Sequence, residues 1–277
     1  MSAHDTSHAG SDPHVAAGFR SVLTSSPALS FGDTVDGVST YAVGGDITGL
    51  RIVSKSGLPS YWRDDAPVAP EPSWSRAVNG ALKRVFDVLF AALALFTLAP
   101  LFLIVAIAIK LTDRGPIFFR QDRVGKDGKP FQIFKFRSMY VDKCDHSGVA
   151  QTVADDKRVM PIGSVLRRTS IDELPQLLNI ILGEMSVVGP RPHVEGQAAA
   201  GLPYEQVVPY YAYRHDVLPG LTGWAQANGL RGPTVHEDRA RDRIDHDVAY
   251  IQNFSFLLDM RIIVRTAMRE FFTGSGF

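Results

Sequence analysis

The chain has 277 residues, with 29 Lys and Arg against 29 Asp and Glu for a formal net charge of +0. It is long enough for one substantial core and lacks the basic bias expected of a nucleic-acid-binding protein. Its single cysteine, Cys144, excludes an intrachain disulfide and suits a reducing compartment.

Residues 1–80 are rich in Ser, Gly, Pro, Ala and Asp. They show no sustained helical or strand period apart from a short strand at Leu50 to Val53, which predicts a disordered N-terminal tail. No apolar run near its start fits a secretory signal, and the histidines at 4, 8 and 14 read as compositional scatter. Lys83-Arg84 then leads through Val85-Phe86-Asp87 into an uncharged run from Val88 to Ile109, closed by Lys110. That run meets the length of about 20 residues that a bilayer demands. Pro100 interrupts its backbone ladder and predicts a bend. Basic residues flank both ends, Lys83-Arg84 before and Lys110 and Arg114 after, so both ends prefer the same face of a membrane. A helix over about residues 83–110 that enters one leaflet and returns satisfies both observations, whereas a continuous span satisfies only the length.

Lys110 to Arg137 concentrates basic residues, a pattern that suits anionic lipid or phosphate and equally a solvated hairpin. Within it, Pro116 to Gln121 and Phe131 to Arg137 alternate as strands, and Gly125-Lys126-Asp127-Gly128-Lys129 reads as the turn between them. Pro161 to Arg168 and Glu173 to Leu182 are predicted as short helices, with Ser170 or Asp172 as the cap of the second. From Glu237 to Phe272 the spacing is helical, its second half carrying an apolar stripe of core or membrane-surface type. His236-Glu237 lacks the second histidine of a zinc-protease helix, and Cys144 with His146 has no partner pair nearby.

Chemistry concentrates at Asp172-Glu173, which follows Arg167-Arg168-Thr169-Ser170-Ile171 and precedes Leu174-Pro175-Gln176-Leu177. Adjacent carboxylates oppose joint ionisation unless cations compensate, and Arg167 and Arg168 supply compensation to which a divalent ion could add. Alone, the pair is also explained as acids favouring a helix N-terminus.

The order of motifs resembles the bacterial sugar transferases, the monotopic phosphoglycosyl transferases, over about residues 81–272. The matching segments are Lys83-Arg84 to Asp87 with the Pro-interrupted helix, Gly115 to Gln121, Lys135-Phe136-Arg137-Ser138-Met139, Arg167 to Leu177, Gly189-Pro190-Arg191-Pro192, Pro219 to Gln226, and Asn228 to Gly232. The resemblance implies an α+β fold over residues 81–277: a mainly helical interfacial catalytic domain with a short β-hairpin and a Pro-bent re-entrant membrane helix. It further implies transfer of a hexose-1-phosphate from a UDP-hexose to undecaprenyl phosphate, with Mg2+, in initiating an exported polysaccharide. The place implied is the cytoplasmic face of the bacterial inner membrane, among membrane lipids. A homo-oligomer and downstream glycosyltransferases are compatible partners; nucleic acid is not expected.

By the same resemblance Asp172 is the nucleophile, and Glu173 handles metal and proton beside it, the two acids forming the metal site. Arg167, Arg191 and Arg231 are implied phosphate or nucleotide contacts, with Lys135 and Arg137 near the pair, Pro192 stiffening Arg191, and Asp259 matching a late acidic position. Surface ion pairing is the competing explanation of the arginines, and a charged spot on an amphipathic helix that of Asp259. Many family members have Ser before the bending proline; here Ala99 stands there, and Thr97 is expected to satisfy the carbonyl that Pro100 frees. Two rival functions use the same residues: hydrolysis of the nucleotide sugar, and a non-catalytic membrane adaptor whose arginines bind acidic lipids. The adaptor needs no paired acids.

Overall fold

A computed structural model describes residues 31–35, 38–42, 51–54, 74–143 and 156–273. Cys144 and His146 lie outside them. Near the N-terminus, β1 (Phe31–Val35), β2 (Val38–Ala42) and β3 (Arg51–Ser54) pair as an antiparallel sheet in that order. Only the third strand was expected. β1 and β2 pair from Phe31↔Tyr41 to Val35↔Val38.

The long apolar run belongs to α1 (Trp74–Thr112), a helix of 39 residues that begins well before position 83 and continues through Pro100. Thr97 does not serve the carbonyl that Pro100 leaves without a donor. Its hydroxyl bonds back to the Leu93 carbonyl at 2.9 Å, one turn earlier, as threonines in helices commonly do.

One side of α1 docks on the folded unit along most of its length. Asp87 is buried and accepts the Val187 amide at 3.1 Å, while Lys83 donates to the Val188 carbonyl at 2.8 Å. Ala91 packs with Leu177, Ile180 and Val187, and Val105 and Ile109 pack with Phe136, Met160 and Leu166. The other side carries Leu82, Val85, Leu89, Leu93, Phe96, Leu103, Ile107 and Leu111, with Phe96 81% and Leu111 83% exposed. So large an apolar stripe has no place in water and marks a surface for lipid or protein.

The hairpin forms as expected, from β4 (Phe118–Val124) and β5 (Pro130–Phe136), in register from Phe118↔Phe136 to Val124↔Pro130. Asp127 (φ 57°) and Gly128 (φ 71°) reverse the chain between them. Strand alternation puts Gln121, Arg123, Ile133 and Lys135 on one face of the hairpin. Helix α2 (Pro161–Arg168) matches its expected bounds. The next helix does not start at Glu173: Ile171–Glu173 is a 3-10 turn, and α3 (Gln176–Leu182) begins only after Pro175. Neither Ser170 nor Asp172 caps it, because Ser170 is left-handed at φ 56° and turns the chain away from α2. Pro175 supplies a preset φ but no side-chain acceptor.

Strand β6 (Ser186–Val188) pairs in parallel with the later strand over Gly220–Thr222. Between them lie β7 (Ala198–Ala199), β8 (Leu202–Pro203), α4 (Tyr204–Val207) and a 3-10 turn over Tyr211–Asp216. The strand at Gly220–Thr222 is β9. A Cβ on Gly220 would lie 2.1 Å from the Gly189 nitrogen, so these backbones meet only because glycine stands there. The chain ends in α5 (Trp224–Ala227), α6 (Glu237–Gln252) and α7 (Phe256–Thr273). The single helical stretch expected from residue 237 is broken at Asn253 to Ser255, where the Ser255 hydroxyl accepts the Leu258 amide at 3.2 Å and caps α7. Tyr250, Ile251, Leu258 and Ile262 from that stripe are core, packed with Trp224 and Met185.

Candidate active site

Two elements bring the acids into the unit. The α2 C-terminus ends in Arg167-Arg168, and the left-handed Ser170 then folds the 3-10 turn inward, leaving Asp172 only 8% exposed. Glu173 beside it is held on two sides. Lys135 of β5 donates to Oε1 at 2.7 Å, and Arg191 grips both oxygens, Nη2 on Oε1 at 2.5 Å and Nη1 on Oε2 at 3.0 Å. This is the two-pronged geometry at which a guanidinium excels and an ammonium fails.

Arg191 is presented by its flanks. The Gly189 amide bonds to the Thr222 carbonyl, and the Gly220 amide bonds to the Pro190 carbonyl at 2.9 Å. Pro190 and Pro192 restrict φ on either side. On the hairpin, Arg123 shares the face of Lys135, its Nη2 on Gln121 Oε1 at 2.5 Å and its Nη1 reaching the Pro192 carbonyl at 3.5 Å. Arg167 approaches from α2, with Nη1 3.5 Å from the Ser138 hydroxyl.

The two acids are electrically unlike. Burial pushes the Asp172 carboxyl up to about 6; Lys135 opposes the rise and Glu173 reinforces it. Burial acts on Glu173 too, but the Arg191 fork and Lys135 overcome it and hold that carboxyl well below its ordinary range. Burial lowers Lys135, and Glu173 partly restores it. Arg123 falls to about 10 through burial and the neighbouring Arg191, and stays charged at neutral pH. Four cations, Arg123, Lys135, Arg167 and Arg191, therefore surround two acids. One acid is neutralised in place. The other, Asp172, accepts no hydrogen bond from any described residue.

Comparison with known proteins bears on what such a cluster does. The family described as "Bacterial sugar transferase" matches residues 78–273. The chain belongs to that family. Among similar proteins, the exopolysaccharide production protein PSS of Rhizobium leguminosarum bv. phaseoli is 54% identical over 196 residues, covering 71% of this chain and 98% of that one. The UDP-glucose:undecaprenyl-phosphate glucose-1-phosphate transferase of Escherichia coli is 40% identical over 227 residues, 82% of this chain and 47% of that one. The UDP-N-acetylgalactosamine-undecaprenyl-phosphate N-acetylgalactosaminephosphotransferase of Aeromonas hydrophila is 43% identical over 196 residues, 70% of this chain and 44% of that one. The sugar transferase thus spans nearly the whole of the first relative and less than half the length of the other two.

Within this sugar transferase the expected site residues divide. Asp172, Glu173, Lys135, Arg167 and Arg191 converge, with Pro192 behind them. Arg137 does not join. It is buried on the Asp113 carboxylate at 2.6 Å and the Asp113 carbonyl at 2.7 Å, which ties the exit of α1 to β5. Gly115 makes room for it, since a Cβ there would strike the guanidinium. Asp259 does not join either. It is buried between Lys83 Nζ at 2.7 Å and the Tyr250 hydroxyl at 2.8 Å, and fastens α7 to α1. Arg231 lies half-buried between α5 and α6 and bonds neither acid. Arg123 was missed as a site residue. Its two-residue phase with Gln121, across the hairpin from Lys135, was the available signal.

Proposed function

We propose that this sugar transferase moves a hexose-1-phosphate, of glucose or galactose type, from a UDP-hexose to undecaprenyl phosphate and so initiates a surface polysaccharide. One observation carries the reading: Asp172, 8% exposed, is bonded to no described residue beside an acid already locked by Arg191 and Lys135, within an excess of cations. An adaptor for acidic lipids has no use for a second carboxylate in the cluster, because its charge competes with the lipid for the cations. A reaction that forms a bond to it does.

Two displacements account for the arrangement. An Asp172 oxygen attacks the phosphorus next to the sugar, the bond from that phosphorus to the bridging oxygen breaks, and UMP leaves with the electron pair. Undecaprenyl phosphate then attacks the aspartyl-phosphosugar, which releases the Asp172 carboxylate and forms the lipid diphosphosugar. Arg191, Lys135, Arg123 and Arg167 hold the two anionic substrates together and stabilise charge on the transferring group. Glu173 holds the Arg191 guanidinium in place beside Asp172.

The residues fit Mg2+ through Asp172, whose lone pairs are unengaged among the described residues, and through substrate phosphates; Mg2+ commonly takes one or two carboxylates in this way. Glu173 is a poor ligand, since both of its oxygens are committed to cations. When bound, the ion would neutralise charge on the diphosphate. Chelation is expected to reduce UMP release by about tenfold or more, with recovery on adding Mg2+. Full activity in excess chelator refutes the metal.

The membrane fraction incubated with a panel of UDP-sugars, with and without undecaprenyl phosphate, tests the function by UMP release and by sugar transfer to the lipid. Release that continues past one equivalent without acceptor indicates the hydrolase instead. Ionised Asp172 is the attacking form, so its raised pKa places the loss of kcat/KM on the acid side: activity is full well above pH 6 and falls as pH drops through about 6. A kcat/KM that stays unchanged as pH falls through the carboxylate range sinks the assignment.

The docked face of α1 bears on topology. Both ends of the apolar run meet the same folded unit, through Lys83 and Asp87 at one end and Val105 and Ile109 at the other. A straight span standing free in the bilayer carries its ends to opposite faces. A helix fastened at both ends to one unit fits entry into a single leaflet, with the active site at the cytoplasmic surface of the inner membrane. With Cys144 replaced by Ser, cysteines introduced at Ser75 and Lys126 are expected to label only from the cytoplasmic side. Labelling from opposite sides contradicts re-entry.

A further inference from the structure

Arg191 is a long side chain whose own surface is 39% exposed, yet its fork must stay on Glu173. Its main chain is held by a residue that touches neither acid. Arg214, in the Tyr211–Asp216 turn, donates Nη2 to the Arg191 carbonyl at 2.6 Å. The same guanidinium is clamped by Asp247 of α6, with Nε and Nη2 on Oδ2 at 3.1 Å and 2.9 Å. The two side chains are 1% and 3% exposed. The Tyr211 ring lies 5.3 Å from the Arg214 guanidinium, and its hydroxyl meets His193 Nδ1 at 3.0 Å. The residue two beyond Arg191 is thereby fixed by the same group.

We propose that the Arg214–Asp247 pair is a positioning element for the transfer, setting the Arg191 backbone so that its fork stays on Glu173 beside the nucleophile. The inference rests on the reading of Asp172 as the nucleophile. A buried ion pair is often replaceable by apolar residues without loss of stability, so stability alone is a weak reason to find one here. The spare donor of this pair goes to the carbonyl of the residue that carries Glu173. A displacement of about 1 Å at that point is enough to cost roughly a hundredfold in rate.

The test uses the full chain in membranes with two variants, Arg214→Lys and the double replacement Arg214→Met with Asp247→Leu. The first keeps the charge but cannot span Asp247 and the carbonyl together. The second removes the pair without leaving a buried charge. In both, kcat for UMP release is expected to fall about tenfold or more with KM for the UDP-sugar little changed, while resistance to proteolysis stays near wild type. A rise in KM at unchanged kcat, or wild-type kinetics, overturns the proposal. Should the double variant lose its protease resistance, Arg214→Lys decides by the same readouts. Wild-type enzyme that releases no UMP from any UDP-sugar refutes the function itself, a result distinct from a variant that behaves as wild type.

Discussion

Asp172→Asn is expected to lower turnover by about four decades, the scale of loss when a catalytic member of an active site is deleted. Asparagine keeps the shape of a side chain only 8% exposed, and it introduces no charge into a cluster already rich in cations. The fold should therefore survive, while an amide oxygen cannot form the acyl phosphate. Wild-type protein given labelled UDP-hexose and no lipid acceptor should carry a labelled phosphosugar on the peptide that contains Asp172, with UMP released in equal amount. The Asn variant should carry none. A label on another peptide, or an Asn variant within tenfold of wild type, removes Asp172 from the role of nucleophile.

Arg191→Ala is expected to cost about a hundred to a thousandfold in kcat/KM, as when a preorganised donor is taken from developing charge. Two hydrogen bonds to Glu173 vanish, and among the described residues Lys135 is left as its one bonded partner. The carboxyl of Glu173 should then rise, because the fork is the chief influence opposing burial there. Arg191→Lys should recover only part of the loss, since an ammonium keeps the charge without the parallel donors. Both variants should bind membranes as wild type, since α1 docks through Lys83, Asp87 and its apolar face rather than through Arg191. Wild-type kinetics in the Lys variant argues against a bidentate role.

These two expectations differ in how far the sequence alone supports them. Asp172 and Glu173 are chain neighbours, so their proximity and mutual repulsion follow from the sequence. That Glu173 rather than Asp172 receives the cations does not, because this depends on the left-handed turn at Ser170 and on the approach of β5 and the Arg191 loop. Asp259 shows the reverse case. An acid at a matching position invites a catalytic reading, yet its partner is Lys83, 176 positions away, and the pair joins helices.

The sequence by itself determines what short-range chemistry can set: the hairpin about Gly125 to Lys129, α2 with its N-terminal Pro161, the apolar run of α1, and an acidic pair with arginines nearby. Each is written in neighbouring residues or in a repeating spacing. Tertiary structure alone decided that Arg137 and Asp259 are fasteners, that Arg123 joins the cluster, and that Arg214 and Asp247 stand behind Arg191. The reason is that arginines and acids are chemically alike wherever they stand, and only chain closure assigns each its partner. Burial then sets the strength of each pairing, and of the two adjacent acids it is Glu173 that the cations bind.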